Sequence, residues 1–333
     1  MGGAIATPHV DATRAGVRAY ARGGNALDAA VAAAAVLTVV YPHQTAIGGD
    51  LWAVVADPGG AVRAVDGSGA APAGVDVGAL RSRFDEMPDT GPAPVTVPGT
   101  VSAWETLVGL GAELGLAAAI EPAAVLARDG IEVSHSLAVG IRSRLDAVSA
   151  DEGLRGHFTD DGAPLTEGAQ IRQPALARSL EQIAAEGGSA LYHGEIGRAF
   201  VEGLRGLGSP MTPDDLQAHR TEIVTPLTLD LAGVRFATAP PGSQGFVLLE
   251  MLAALGTLDP EPGDALAAAL LGIEDRDAWL GDPRLTEIPL DRLLDPEQAR
   301  ARLGERRRTP AAAGAAGGDT VAVVAVDADG RAV

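Results

Sequence analysis

The sequence predicts an α+β layered sandwich, with sheet packed on sheet and helices outside. Three observations carry that expectation. Strand-like runs rich in Val and Ala lie near both ends, at 51–66 and 321–326. Between them the chain reads mostly as helices, and strands segregated from helices point to α+β, not to an alternating α/β sheet. The chain has 333 residues, 47% of them apolar, enough for a substantial core. Only 3% are aromatic, so Ala, Val and Leu must fill that core.

Composition removes several function classes. The net charge of −19 opposes binding to nucleic acid and to anionic membranes. All 25 basic residues are Arg, which excludes Schiff-base lysines and the phosphate-loop lysine. The absence of Cys excludes disulfides, thiol nucleophiles and thiolate metal sites. Met1 is followed by Gly-Gly-Ala, with no basic segment and apolar run after it, so no leader peptide is read and the cytoplasm is the expected compartment.

In chain order, Asp11 to Arg22 has apolar residues near helical spacing and ends at Gly23-Gly24. Asn25 then caps a helix from Ala26 to about Val40, with Asp28 three residues on as the second half of a capping box. That helix is apolar nearly all round, which predicts burial; it is too short to span a bilayer, and Pro42 stops it. Leu51–Ala56 and Ala61–Asp66 flank Asp57-Pro58-Gly59-Gly60, a hairpin. Thr100 is expected to cap a helix through Leu114. Further helices are expected at Pro122–Arg128, Ser136–Leu145, Pro174–Glu186, Gly194–Leu207, after Thr212-Pro213, at Gly245–Leu255 and at Asp264–Leu280. Thr225–Leu231 and Val234–Thr238 form a second strand pair. From Glu305 to Gly318 the chain reads as a mobile linker, and Val321–Val326 as a strand followed by the turn Asp327-Ala328-Asp329-Gly330.

Thr320 sits where linker meets strand. If the Asp319–Thr320 bond is cut, Thr320 carries a hydroxyl and a free α-amine, a self-contained nucleophile and base. That amine titrates at about 7.7–8.0 and can take the hydroxyl proton near neutrality. Taken alone, Thr320 reads instead as an ordinary β-branched residue opening a strand. Other constellations carry less. The six histidines show no metal-binding spacing, so no metal site is expected. His43 reads as structural. Gly67-Ser68-Gly69 lacks the third glycine of a dinucleotide loop and runs into Pro72. Neither Ser68 nor Ser243 lies in a G-x-S-x-G elbow.

The motifs nevertheless assemble in order. Gly23 to Ala33, Pro42-His43, Gly48-Gly49-Asp50, Val97-Pro98-Gly99-Thr100-Val101, Arg172-Gln173-Pro174, Tyr192-His193-Gly194-Glu195, Pro240 to Gly245, and Asp275-Arg276-Asp277 with Gly281-Asp282-Pro283 resemble the γ-glutamyltransferase family along essentially the whole chain. The resemblance implies a four-layer αββα N-terminal-nucleophile hydrolase, incomplete here at the C-terminus. It implies a precursor that cuts itself between Asp319 and Thr320. Residues 1–319 would then be the large-subunit part, with 305–318 as linker, and 320–333 the start of a small subunit. Thr320 would attack a small amide, such as glutathione, and pass the acyl group to water or an amine without any cofactor; its partners would be that amide substrate and its own small subunit. Ser68 stands where the typical member has an Arg for the glutamyl carboxylate. The sequence therefore looks more like the branch of other amide hydrolases, oxamate amidohydrolase among them. The family's oxyanion hole falls beyond Val333. The chain alone is therefore expected to be inactive, with the Val321–Val326 strand leaving backbone groups unpaired. A non-catalytic, uncleaved homologue remains the alternative.

Overall fold

The chain opens with a strand the sequence did not signal, β1 (Gly3–Ala6). The computed structural model describes residues 2–306 and 320–333, so the residues expected to form most of the linker, and Asp319, lie outside the described residues. What is described is mixed helix and sheet, as expected for α+β, in two units.

The first unit comprises Met1–Leu51, Gly67–Thr221 and Asp319–Val333. Its helix α1 (Val10–Ala21) is capped by His9, whose ring accepts the Asp11 N–H. Helix α2 (Ala26–Val40) follows with both arms of the capping box formed by Asn25 and Asp28. Every α2 residue except Ala34 is buried, as its all-round apolar sequence requires. It packs against α1 on one side and the helix Leu116–Asp129 on another, and the latter against Pro174–Glu186.

Among the expected helices, the bounds differ most at Thr100 and at Pro122. Thr100–Gly109 begins at Thr100, but Thr100 does not cap it; its hydroxyl donates to the Gly49 carbonyl at 2.8 Å. The helix stops at Gly109, not Leu114, because the N–H groups of Glu113 and Leu114 donate to Asp28 instead (2.9 and 2.8 Å). Pro122 lies inside Leu116–Asp129 and does not open it, giving up one backbone hydrogen bond.

The terminal strand also shifts. It spans Val324–Asp327, so Thr320 precedes it by four residues. It pairs antiparallel with β1, from Gly3↔Asp327 to Ala6↔Val324. On its other edge Ala325 exchanges both backbone hydrogen bonds with Val333 at 2.9 Å, and Asp327 N–H donates to the Arg331 carbonyl at 3.0 Å. The predicted unpaired edge is therefore corrected: the return segment 331–333 occupies it. Gly330, at φ 89°, makes the reversal possible.

The second unit comprises Trp52–Asp66 and Glu222–Gly318. Its hairpin of β2 (Leu51–Ala56) and β3 (Val62–Gly67) forms around the predicted turn, and β3 pairs on its far side with Glu222–Val224. Leu227–Leu231 and Val234–Thr238 pair through Ala232 and Gly233, both at positive φ. Helices Phe246–Leu255, Pro262–Trp279 and Pro296–Arg306 close over a core of Ala253, Ala254, Ala268, Leu271, Ala299 and Leu303. Glu305 and Arg306, read from sequence as the start of the linker, instead finish that last helix.

Candidate active site

Thr320 is exposed, and its backbone N–H donates to the side-chain oxygen of Gln44 at 3.0 Å. This nitrogen belongs to the Asp319–Thr320 peptide bond, the bond expected from the family resemblance to be cut. Asp319, the other half of that bond, lies outside the described residues. The sequence alone does not single out Gln44. Its partner is 276 residues away, and no local pattern reveals such a contact.

Gln44 sits on the loop that leaves α2. The loop turns at once, Gln44 N–H donating to the Tyr41 carbonyl at 3.1 Å. His43 locks it: its Nε2 and the Ser136 hydroxyl are 2.8 Å apart, and Ser136 donates to the Tyr41 hydroxyl at 3.0 Å. The rings of Tyr41 and His43 lie 4.2 Å apart, and a Cβ on Gly140 would come within 3.0 Å of the His43 Cβ. These contacts fit the structural role read for His43.

The far end of the same loop is anchored as firmly. The Gly49 carbonyl accepts the N–H groups of Gly99 and Thr100, both at 2.9 Å, besides the Thr100 hydroxyl. The Asp50 carboxylate accepts the Gly69 N–H at 2.9 Å. One loop therefore holds Thr320 at its start and the neighbour of half-buried Ser68 at its end.

Ser68 lies between two backbone crossings. A Cβ on Gly69 would stand 1.6 Å from the Val97 carbonyl oxygen, and one on Gly99 would stand 1.9 Å from that of Gly67. Glycine is demanded here by the close approach of two chains, not by a phosphate. Tyr192 secures the second chain: its hydroxyl donates to the Pro98 carbonyl at 2.9 Å and accepts the Ser102 N–H at 3.1 Å, while its ring stacks on His219. Burial holds the Tyr192 phenol well above its ordinary range, so it stays a donor.

No group of three or more His, Cys, Asp or Glu side chains able to hold a metal ion occurs among the described residues. No described helix is long and apolar enough to cross a membrane.

A family model described as Gamma-glutamyltranspeptidase matches residues 12–333. The chain belongs to the γ-glutamyltranspeptidase family. The family resemblance read from the ordered motifs is met. The glutathione hydrolase-like YwrD proenzyme of Bacillus subtilis (strain 168) is 36% identical over 346 residues, covering 99% of this chain and 65% of the relative. The oxamate amidohydrolase proenzyme of Klebsiella pneumoniae is 33% identical over 348 residues, covering 99% and 66%. Among solved structures, the cephalosporin acylase from Bacillus halodurans superposes with a TM-score of 0.88 at 30% identity, over 99% of this chain and 64% of that one. The chain thus spans about two thirds of the length of these γ-glutamyltranspeptidase-family relatives.

Proposed function

We propose that the chain is part of a proenzyme that frees Thr320 by cutting after Asp319 and then uses it as the nucleophile of an amide hydrolase or acyltransferase, on a four-layer αββα scaffold. The observation that carries this reading is the bond from the Thr320 N–H to Gln44. In the uncut chain, that bond fixes the nitrogen that must leave when the Thr320 hydroxyl attacks the Asp319 carbonyl. The C–N bond breaks, an ester to Thr320 Oγ forms, and the hydroxyl proton ends on the nitrogen. Water then hydrolyses the ester, returning the hydroxyl and leaving Asp319 with a carboxylate. In the cut enzyme the same nitrogen is the α-amine that takes the hydroxyl proton, and Gln44 keeps it oriented. The acyl group of an amide passes to Thr320 Oγ, the amine leaves with the proton, and water or a second amine resolves the ester.

Ser68 bears on the acyl group. One short hydroxyl replaces the bidentate charge clamp expected of a glutamyl-specific member. Loss of such a contact typically costs about 2–5 kcal/mol. The substrate supported best is a small amide without a glutamyl α-carboxylate, as the name of the oxamate amidohydrolase relative suggests.

Cleavage is tested in the complete gene product. Parent protein should split into two bands, with Thr320 as the new N-terminus by sequencing, and Thr320→Ala should stay one chain. Splitting of Thr320→Ala at this bond removes Thr320 as nucleophile. Parent protein that never splits favours the non-catalytic reading. For specificity, the parent should hydrolyse glutathione poorly and Ser68→Arg better; efficient glutathione hydrolysis by the parent would overturn the role given to Ser68.

A further inference from the structure

Cutting before Thr320 leaves the segment that begins there tied to the rest of the first unit by non-covalent contacts, and one side chain makes the connection to the first helical turn of α2. Asp327 is buried. One carboxylate oxygen accepts the N–H groups of Asp329 (3.1 Å) and Arg331 (2.9 Å), closing its own hairpin turn. The other accepts the N–H of Ala26 at 3.1 Å, across 301 residues of sequence. Ala26 is the first residue of α2, where backbone N–H groups lack helical acceptors and the helix dipole favours a negative charge. Beside it the Tyr20 hydroxyl donates to the Val326 carbonyl at 3.0 Å, and lies 3.3 Å from the Ala4 carbonyl, bridging the terminal strand and β1. Gly3 leaves room for that bridge, since a Cβ there would meet the Tyr20 ring at 2.5 Å.

From this we infer that Asp327 is a positioning residue for Thr320: its carboxylate fixes the terminal hairpin to α2 and so sets where the newly exposed N-terminus comes to rest against Gln44. Gln44 stands on the loop leaving the C-terminal end of α2, and Asp327 binds the N-terminal end. The one helix therefore references both the nucleophile's segment and the group that holds the nucleophile's nitrogen. A slip of the strand along β1 would break the Asp327–Ala26 bond and displace Thr320 from Gln44 together. The inference rests on the cleavage reading above.

The test uses the complete gene product with two variants. Asp327→Asn keeps the volume, but its amide offers one accepting oxygen where the carboxylate offers two. Ala26→Pro removes the N–H that α2 contributes, at the helical position proline favours. Cleavage rate is followed on gels, and kcat and KM are measured per cleaved molecule on an amide the parent hydrolyses. Both variants should cut more slowly, and kcat per cleaved molecule should fall by about 10–100-fold with KM little changed, as for a misplaced reacting group. A lower Tm with parental cleavage rate and parental kcat would reduce Asp327 to a structural residue and overturn the inference. The Thr320→Ala control separates the two claims: if Thr320 is the nucleophile and the variants behave as parent, only the positioning role falls.

Discussion

Each unit buries carboxylates, and the two units compensate for them in opposite ways. In the first, Asp28 and Asp327 are surrounded by backbone N–H groups: Asn25, Glu113 and Leu114 donate to Asp28, and Ala26, Asp329 and Arg331 to Asp327. In the second, Glu250, Asp275 and Arg302 come from three different helices, and two carboxylates share one guanidinium. Glu250 is fully buried, with its ion pair to Arg302 at 2.8 Å and neither oxygen in a well-aligned hydrogen bond. In the first unit, backbone amides meet both oxygens of each carboxylate. Glu250, which shares a single cation with Asp275, is short of compensation and holds a proton. Burial, reinforced by Asp275 and opposed by Arg302, pushes the Glu250 carboxyl up to about 8.

This contrast can be broken at its strongest point first. Arg302→Met leaves the buried carboxylates without their cation and should cost about 3–5 kcal/mol, read from urea unfolding. Asp28→Asn should cost less, about 1–3 kcal/mol, because the amide can serve some of the three donors but not all. If Asp28→Asn proved the more damaging, the amide-ringed site would be the dominant one.

At pH 5, Glu250→Gln should show the smallest effect of the three, and its effect should grow with pH. With its folded-state value above its unfolded-state value, Glu250 keeps a proton in the folded protein that the unfolded chain has already lost. Its contribution therefore falls as pH rises from the ordinary carboxylate range through about 8. The Gln variant should match the parent within about 1 kcal/mol near pH 5 and be the more stable above pH 8. Urea midpoints at pH 5 and pH 9 decide it: a Gln variant that loses stability with pH as steeply as the parent would show that Glu250 is not the proton-bearing group.

The parts of the molecule legible in sequence are those governed by near neighbours. Asn25 and Asp28 are three apart and give a complete capping box; the turn at 57–60 gives the first hairpin. Thr100 has the right residue type to cap but lost its hydroxyl to a carbonyl 51 residues earlier. β1 has four residues and no turn signal before it, and exists because Val324–Asp327 lies beside it. The same limit separates Thr320 from Gln44 and Asp327, the residues proposed to hold and position it. Thr320 stands at a composition boundary, whereas the contacts of Gln44 and Asp327 span 276 and 301 residues. The Glu250 cluster, assembled from three helices, was invisible for that reason too.

The glycines around Ser68 have a consequence for how such an enzyme could change its diet. With a carbonyl oxygen 1.6 Å from where a Cβ at Gly69 would stand, and the Ala103 methyl group 2.6 Å from where one at Gly67 would stand, neither flanking position can accept a side chain unless its neighbours give way. Ser68 already carries a side chain between them. Variation in that stretch is thereby funnelled into a single letter. If Ser68 bears on the acyl group as proposed, a lineage or a laboratory library would explore one codon there while its neighbours stayed frozen, and a switch of substrate would arrive in one mutational step with the surrounding framework undisturbed.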